Sequence, residues 1–506
     1  MLKKNSSSQA RTSQKQASKK SPSKRQKKSV PRAQNKIDFG NQLDWFYDQE
    51  NIFSKMKFHG NTKWNPRHLS SQALIFSWSE KFCVTDAFDE SYKRSQKLGI
   101  PTALDTYQGF IRALANHRDR FIPSLSSHLQ QKMKDIAGSF WQVHGFVPIA
   151  FDGSRNSAPR TESNEQEFCA SNHGTGKTAK YRKKKTKGMR RTQNEKNKPA
   201  APKPQIWITM MWQMSLRLPW KWRLGPSNSS ERSHVSEMIR GGNFPKKTLF
   251  CGDAGFVGYD FWRSILKKGQ NFLVRVGANV SLLSENMDYK RLKDGTVLCW
   301  PKGKSQSDEP PLKLRLVQVK IGKTKMYLLT SVLDKQSLSK KQMIRFYKMR
   351  WGIEVEFRGL KQTLKKTNLR CRNSQRTYAE LDWSIMAMAV AELFALKEQI
   401  SAHQAQQSQA KTTVARGYSP HDRSLANTMR AIENCLAYLD DVPDPGDNLF
   451  ITLRGAMTDD YIRKSKKKAR YCPKNPDKKP LGDPKIRKLN LQEKKKRLEI
   501  NQTIAA

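Results

Sequence analysis

Residues 246–277, KKTLFCGDAGFVGYDFWRSILKKGQNFLVRVG, contain two strand-like runs with a helix-capable segment between them. The predicted strands are KKTLFCGDAGF and NFLVRVG, and the predicted helix is DFWRSILKKG. Upstream, FVPIAFDGS and PQIWITMMWQMSL are also predicted strands, and SSERSHVSEMI is a further predicted helix. Strands that alternate with helices favour an α/β core.

The segments on either side of this core have their own periodicities. Residues 41–140 carry apolar and aromatic residues at helical spacing, which predicts a small helical N-terminal region. The runs TVLCW, LKLRLVQVKI and KMYLLTSV alternate with period two, which predicts a small antiparallel sheet inserted over residues 277–335. FYKMRWGIEVEFRGLKQTL, residues 346–364, is predicted as one amphipathic helix, and further helices follow over residues 371–460.

Charge is the strongest signal in the composition. Lysine and arginine number 95 against 44 aspartates and glutamates, which gives a formal net charge of +51 and a pI near 10.2. This balance predicts a polyanionic partner. No run of 18 uncharged apolar residues occurs and the first residues lack the apolar core of a signal peptide, so we expect a cytoplasmic protein without a membrane partner. The seven cysteines include no CxxC pair and support neither a disulfide framework nor a zinc site.

Two aspartates, Asp152 and Asp253, each follow an apolar run and precede a glycine or an Ala-Gly pair. We therefore expect each to lie where a buried strand passes into a turn. An acid at such a place can be a turn former or a helix cap. Alternatively, adjacent strand ends bring two carboxylates together, an arrangement that a divalent cation such as Mg²⁺ would neutralise.

The predicted helix of residues 346–364 divides its side chains between stripes. At roughly 100° per residue, Tyr347, Arg350, Glu354 and Lys361 fall within a stripe about 60° wide. This charged stripe borders an apolar one formed by Phe346, Ile353, Phe357, Leu360 and Leu364. Glu356 falls on the far side and is expected to be a solvated acid. The charged stripe is either a salt-bridged surface or a carboxylate for a metal flanked by groups that bind phosphate.

The spacing of Tyr347, Arg350, Glu354 and Lys361 resembles the Tyr-Arg-Glu-Lys signature of the insertion-sequence-four family of DDE transposases, and DGSR and GDAGF stand where that family has its two aspartates. The resemblance spans roughly residues 140–370. It implies that Asp152, Asp253 and Glu354 are the catalytic, metal-binding triad for Mg²⁺ or Mn²⁺. It also implies DNA-binding roles for Tyr347, Arg350 and Lys361, and a ribonuclease-H-like mixed α/β sheet with a β-rich insertion.

In terms of function, the resemblance implies a transposase that cuts element ends and joins them to target DNA, with double-stranded DNA as partner and a homodimer on the DNA. Bound to DNA, the protein would be associated with the nucleoid. Trp300 or Tyr327 could stack a flipped base, although the core is the alternative place for both. Two other classes stay open, namely a non-enzymatic basic nucleic-acid-binding protein and a stand-alone metal-dependent nuclease of the same fold.

The predicted organisation follows from these segments. It comprises a basic disordered arm (1–40), a helical N-terminal DNA-binding domain (41–140), a ribonuclease-H-like catalytic domain (141–370) with a basic flexible insertion (155–204) and a β insertion (277–335), a C-terminal helical region (371–460) and a basic tail (461–506).

Overall fold

A computed structural model describes most of the chain. The described residues are 34–48, 52–54, 56, 58–169, 203–284, 293–301, 309–322, 324–409, 418–441, 447–459 and 481–505. Most of the predicted basic arm, the greater part of the predicted insertion and the first half of the predicted basic tail lie outside them.

The helices occur mainly at the two ends of the chain. They are α1 (Gln34–Phe46), α2 (Pro66–Trp78), α3 (Val84–Lys97), α4 (Tyr107–Asn116), α5 (Arg118–Ala137), α6 (Glu162–Phe168), α7 (Glu231–Arg240), α8 (Tyr259–Lys267), α9 (Lys340–Arg350), α10 (Gly352–Arg358), α11 (Ser374–Gln409), α12 (Leu425–Ala437), α13 (Leu449–Arg454) and α14 (Leu491–Ala505). Short 3₁₀ turns lie at Gly138–Trp141 and Pro420–Asp422, and a π-helical turn lies at Gly359–Thr363.

The strands lie between these helical regions, apart from one near the C-terminus. They are β1 (Val147–Ser157), β2 (Gln205–Gln213), β3 (Leu218–Gly225), β4 (Thr248–Gly252), β5 (Asn271–Val276), β6 (Ser281–Ser284), β7 (Asp294–Cys299), β8 (Leu312–Ile321), β9 (Thr324–Thr330) and β10 (Lys485–Lys488). The quoted stretch 246–277 is therefore β4, α8 and β5, as predicted.

The described strands form one ten-stranded mixed sheet in the order β10-β6-β7-β8-β9-β5-β4-β1-β2-β3. Strands β1, β4 and β5 are parallel neighbours. On the other side of β1, β2 pairs antiparallel with β1, and β3 pairs antiparallel with β2. The strands predicted within residues 277–335 are present and antiparallel to one another, but they do not form a small sheet of their own. Strand β9 pairs antiparallel with β5, Val274 opposite Leu329, so the inserted strands extend the central sheet. This pairing satisfies the edge of β5 that would otherwise present unpaired backbone groups.

Helices from both ends of the chain pack on the sheet and on one another. The long helix α11 is the centre of this packing, because residues 377–396 are all buried. The Trp78 indole on α2 donates to the carbonyl of Ala387 at 2.9 Å, and the Trp222 indole on β3 donates to Asp382 at 2.7 Å. A helix that is buried on every side belongs to the core of a large protein or to a membrane. Within the part of the chain that the structure describes, no helix is long and apolar enough to span a membrane.

Candidate active site

Asp152 lies in the middle of strand β1. The prediction that it follows the end of a strand was wrong, because β1 stays paired with β2 up to Ser157, with Asp152 opposite Met210. The parallel pairing of β1 with β4 nevertheless ends earlier, at Ala150 opposite Cys251. Asp152 therefore lies just beyond the end of β4, on a strand that only β2 still supports.

Asp253 follows directly after β4, which ends at Gly252. Its carboxylate accepts a hydrogen bond from the backbone N–H of Gly255 at 2.7 Å, so it also orders the turn. Since β1 and β4 are parallel with Ala150 opposite Cys251, two further residues on each strand bring Asp152 and Asp253 to neighbouring positions. The expected convergence of the two aspartates follows from this register.

The predicted helix of residues 346–364 is divided into three parts. Helix α9 begins at Lys340 after a capping box of Ser339 and Gln342, and α10 begins at Gly352 after an interruption at Trp351. The π-helical turn Gly359–Thr363 completes the segment. The apolar stripe is as predicted, because its members are 0 to 8% exposed: Phe346, Ile353, Phe357, Leu360 and Leu364. This stripe fixes the helical segment against the sheet.

Gly352 explains how closely this segment approaches the sheet. A Cβ atom at this position would overlap the six-membered ring of Trp212 on β2. The absence of a side chain at Gly352 therefore lets the start of α10 lie directly on the sheet, next to the strand that carries Asp152. Glu354 follows two residues later.

Arg350 links the helical segment to the strand. Its guanidinium donates from Nη1 to Oδ2 of Asp152 and from Nη2 to Oε1 of Glu354, both at 3.3 Å. Its Cζ lies 5.5 Å from the centroid of the Tyr347 ring. Arg350 is only 6% exposed, and within the part of the chain that the structure describes its Nε has no hydrogen-bond partner. The arginine of the charged stripe thus neutralises two of the predicted triad members.

The three predicted triad carboxylates interact electrostatically. Burial raises the pKa of Asp152, its hydrogen bond from Gly153 and the charge of Arg350 oppose the rise, and the charges of Asp253 and Glu354 add to it. Glu354 keeps about a third of its side chain exposed, 34%, against 19% for Asp152. The group is therefore buried on the strand side and open on the helix side.

Glu231 is a fourth carboxylate at this site, and the sequence analysis missed it. Burial raises its pKa to about 7, and the charges of Asp152 and Asp253 contribute to the rise. It is the first residue of α7, whose N-cap is Ser230, and its side chain lies over Gly153, where a Cβ would collide with it. A Ser-Glu pair at a predicted helix start was the only local signal, and such pairs are common at helix N-termini.

The other residues of the charged stripe have partners within the protein. Lys361, in the π-helical turn, donates from Nζ to Oγ of Ser154 at 2.6 Å, and burial lowers its pKa. Tyr347 is half-buried beneath Arg350. The strand residues 152–154 and the helical segment are thus joined at two points, by Arg350 and by Lys361.

Glu356 is not the solvated acid that the sequence analysis predicted. It is 4% exposed, and burial together with the charge and hydrogen bond of Glu392 on α11 raises its pKa well above the usual range. Glu356 does point away from the site, as the helical wheel required, but α11 and the segment before α12 cover that side. Glu392 in turn accepts a hydrogen bond from Arg423 at 3.4 Å, and Arg217 lies close by.

The aromatic residues named above for base stacking are buried. Trp300 is 7% exposed and donates to the carbonyl of Glu309 at 2.9 Å, and Tyr327 is 8% exposed and donates to Asp483 at 2.8 Å. Both residues therefore lie in the core, which is the position given above as the alternative to base stacking.

The carboxylates are of the chemical type that binds a divalent cation, but within the described ranges their positions do not form a metal site. Carboxylate oxygens are the hard ligands that Mg²⁺ and Mn²⁺ prefer. Burial is the main cause of the raised pKa of Asp152, and a cation would relieve the smaller contribution from the charges of Asp253 and Glu354. Among the described residues, however, no three side chains of His, Cys, Asp or Glu converge closely enough to hold a metal ion. The guanidinium of Arg350 stands between Asp152 and Glu354 and supplies the positive charge.

Comparison with known proteins gives one family match. Residues 177–390, which include Asp253 and Glu354 and begin after Asp152, match the sequence model of a family described as "Transposase DDE domain". No curated protein matches the chain. A solved structure titled "Cryo-EM structure of piggyBac transposase synaptic complex with hairpin DNA (SNHP)" aligns over 79% of each chain with 13% identity and a TM-score of 0.37, a likeness too weak to support any conclusion. The family match supports a DDE transposase.

Proposed function

We propose that this protein is a DDE transposase that cuts DNA at the ends of its element and joins those ends to target DNA. The observation that carries the proposal is the position of Asp152. It shares the guanidinium of Arg350 with Glu354, and the charges of Glu354 and of Asp253, which follows β4, both act on it. The match to the transposase domain over residues 177–390 supports it independently.

The proposal includes the finer assignments made from the sequence. These are membership of the insertion-sequence-four family with its Tyr-Arg-Glu-Lys signature, a ribonuclease-H-like core within the mixed sheet, and a homodimer on double-stranded DNA. The parallel strands β1, β4 and β5, continued by the antiparallel run of β1, β2 and β3, are compatible with such a core.

Asp152, Asp253 and Glu354 would hold the divalent cations. When bound, Mg²⁺ or Mn²⁺ activates the attacking oxygen and stabilises the leaving oxygen of a phosphodiester exchange. In the first step water attacks phosphorus and the bond to the 3′ oxygen breaks, which leaves a 3′ hydroxyl and a 5′ phosphate. In the second step that 3′ hydroxyl attacks a phosphorus of the target strand and displaces its 3′ oxygen.

The basic residues of the charged stripe have a separate role in this proposal. Arg350 keeps the carboxylates compensated, and its guanidinium is oriented by the Tyr347 ring. Lys361 holds its ammonium beside Ser154, two residues beyond Asp152, where a phosphate of the bound strand would pass. Both side chains would bind DNA phosphates by exchanging a protein partner for a phosphate oxygen.

A cleavage assay with defined cations tests the function. Duplex DNA containing the sequence that flanks the gene should be cut with Mg²⁺ or Mn²⁺, whereas Ca²⁺ should allow binding with little cutting because its larger, more flexible coordination does not fit the reaction. Full cleavage in excess EDTA would contradict the metal role. Binding without any cleavage would indicate a non-enzymatic DNA-binding protein, and cleavage without joining to a target would indicate a nuclease.

A further inference from the structure

A cavity of about 670 Å³ lies beside the candidate active site. Its walls are residues 77–82 at the end of α2, residues 361–368 with Arg370 after α10, and the side of α12 that carries Met429 and Arg430. We call it the Phe82 cavity. Its volume is in the range of cavities that bind small organic ligands.

The cavity is connected to the site through Lys361. This residue lines the cavity and at the same time donates its hydrogen bond to Ser154, two residues from Asp152 on β1. A DNA strand bound at Asp152 would therefore lie next to the Phe82 cavity, on the side of the π-helical turn.

Positive charge predominates in the lining. The basic residues are Lys81, Lys361, Lys365, Lys366, Arg370 and Arg430, whereas the acidic residues are Glu80 and Glu433. Both acids already form salt bridges: Glu80 with Lys365 at 3.3 Å and Glu433 with Arg94 at 3.4 Å. Because Arg94 lies outside the cavity and neutralises one of these acids, the lining attracts anions such as phosphate.

Phe82 adds an aromatic face to this basic lining. Its side chain is 93% exposed, although its backbone is held in place. Arg370 donates to the carbonyls of Lys81 and Phe82, and the buried Glu380 accepts from Arg370. The chain thus fixes the backbone that presents an unburied phenyl ring at the cavity.

A basic groove combined with a free aromatic ring is the arrangement by which proteins bind single-stranded nucleic acid, since the ring stacks on a base and the cations bind the backbone. We propose that the Phe82 cavity binds one unpaired nucleotide of the DNA strand adjacent to the cleavage position, with its base on Phe82 and its phosphate at Lys361 and Lys365. The assignment of the nucleotide to the strand that is cut rests on the proposed function. The binding of an unpaired nucleotide in the cavity does not.

The test compares aromatic variants in a binding assay that needs no cleavage. Fluorescent single-stranded oligonucleotides and the matching blunt duplex are titrated in Ca²⁺ with wild type, Phe82→Ala, Phe82→Trp and Tyr438→Ala. Tyr438 is the matched control, because it is an aromatic residue 57% exposed after α12 and does not line the cavity. Since Phe82 is exposed, its replacement leaves the core intact.

We expect Phe82→Ala to bind the single strand about tenfold more weakly, as the loss of one stacking contact predicts, and to bind the duplex as wild type does. Phe82→Trp should restore the affinity, and Tyr438→Ala should not change it. A 5-iododeoxyuridine in the oligonucleotide should cross-link to Phe82. Equal single-strand affinities of Phe82→Ala and Tyr438→Ala, or an equal loss for duplex and single strand, would overturn the inference. Absence of cleavage by wild type would contradict the proposed function and leave this binding result interpretable.

Discussion

Glu354 and Glu356 lie two residues apart on α10, yet they belong to two regions of opposite design. Glu354 is 34% exposed and shares Arg350 with Asp152, in a group that is open toward solvent. Glu356 is closed off between α10 and α11, where it shares a hydrogen bond with Glu392. The first region leaves the carboxylate of Glu354 in contact with solvent, whereas the second holds a buried acid beside partners within the protein.

Ionisation of the buried pair is opposed by burial and by the proximity of the two carboxyls. Oε1 of Glu356 and Oε2 of Glu392 are buried and accept no hydrogen bond from the described residues. The pKa of Glu356 is raised well above the usual range by burial and by Glu392. A proton held between the two carboxyls gives both oxygens a partner, and Arg423 then balances the remaining charge. The comparison teaches that burial and the availability of a cation decide the role of each acid, while sequence position does not.

The largest expected effect is the loss of cleavage in Glu354→Gln. The amide keeps the shape and the contact with Arg350 but loses the charge that a divalent cation needs, so cleavage should fall about a thousandfold or more. Rates on labelled duplex DNA measure it, with thermal unfolding as the check on folding. The control is Glu237→Gln, a surface carboxylate paired with Arg223, which should be near wild type. Near wild-type cleavage by Glu354→Gln would remove Glu354 from the site.

A large loss of stability is expected for Glu356→Ala. The substitution removes the neighbour of the buried Oε2 of Glu392, which leaves Glu392 only its contact with Arg423, and it opens a cavity, so the free energy of unfolding should fall by about 3 kcal/mol. Glu356→Gln should cost under about 1 kcal/mol, since an amide can still donate to Glu392. Urea unfolding of both variants measures the difference. If both are silent, Glu356 is exposed to solvent and the contrast with Glu354 fails.

Gly352→Ala tests how closely α10, which carries both Glu354 and Glu356, approaches the sheet. The added methyl group would overlap Trp212, and overpacking of this kind costs about 2 kcal/mol. Trp212→Phe should relieve part of that cost, because the phenyl ring is smaller than the indole whose outer atoms the methyl would overlap. The indole N–H has no hydrogen-bond partner among the described residues, so the replacement loses none. Unfolding free energies of the two single variants and the double variant give the coupling. Strict additivity would show that the two residues do not meet.

The smallest expected effect concerns His421, which borders the buried region. Burial lowers its pKa to about 4, and the nearby Arg217, Arg345 and Arg423 add to the shift while Asp422 opposes it. As the pH falls, His421 takes up its proton in the unfolded state before it does so in the folded state. The neutral His421 therefore contributes fully to the free energy of unfolding above pH 6.5. That contribution is lost as the pH falls toward 4, and the loss is roughly 1–2 kcal/mol after allowance for partial exposure.

His421→Gln should flatten the stability profile in that window. The measurement is the difference in unfolding free energy between wild type and variant from pH 7 to pH 4, which removes the contribution of other titrating groups. Parallel profiles would show that His421 is solvated.

Much of the local structure could be predicted from the sequence. The strands and helices of residues 246–277 and the apolar stripe of the helix at 346–364 follow from periodicity, because side chains repeat every two residues on a strand and about every 3.6 on a helix. The grouping of Tyr347, Arg350, Glu354 and Lys361 on one side follows from the same geometry. The metal and DNA roles of these residues stay predictions.

Other features could not be read from periodicity, because they depend on which elements become neighbours. Asp152 lies inside a strand because β2 extends beyond β4, and the inserted strands join the central sheet because β9 pairs with β5. Glu231 reaches the site only because α7 begins above Gly153. None of these contacts can be predicted from the spacing of residues along the chain.

The sequence by itself determined the elements, the excess of positive charge and the side of the helix on which Glu354 stands. Only the tertiary structure decided what covers the other side, since a helical wheel gives the direction of a side chain but not the partner that it meets. Helix α11 covers Glu356, and burial together with Glu392 raises its pKa, while the opening beside Arg350 leaves Glu354 about a third exposed. The physical reason is that burial and charge compensation arise from segments distant in sequence, here Glu392 and Arg423 for one acid and Asp152 for the other.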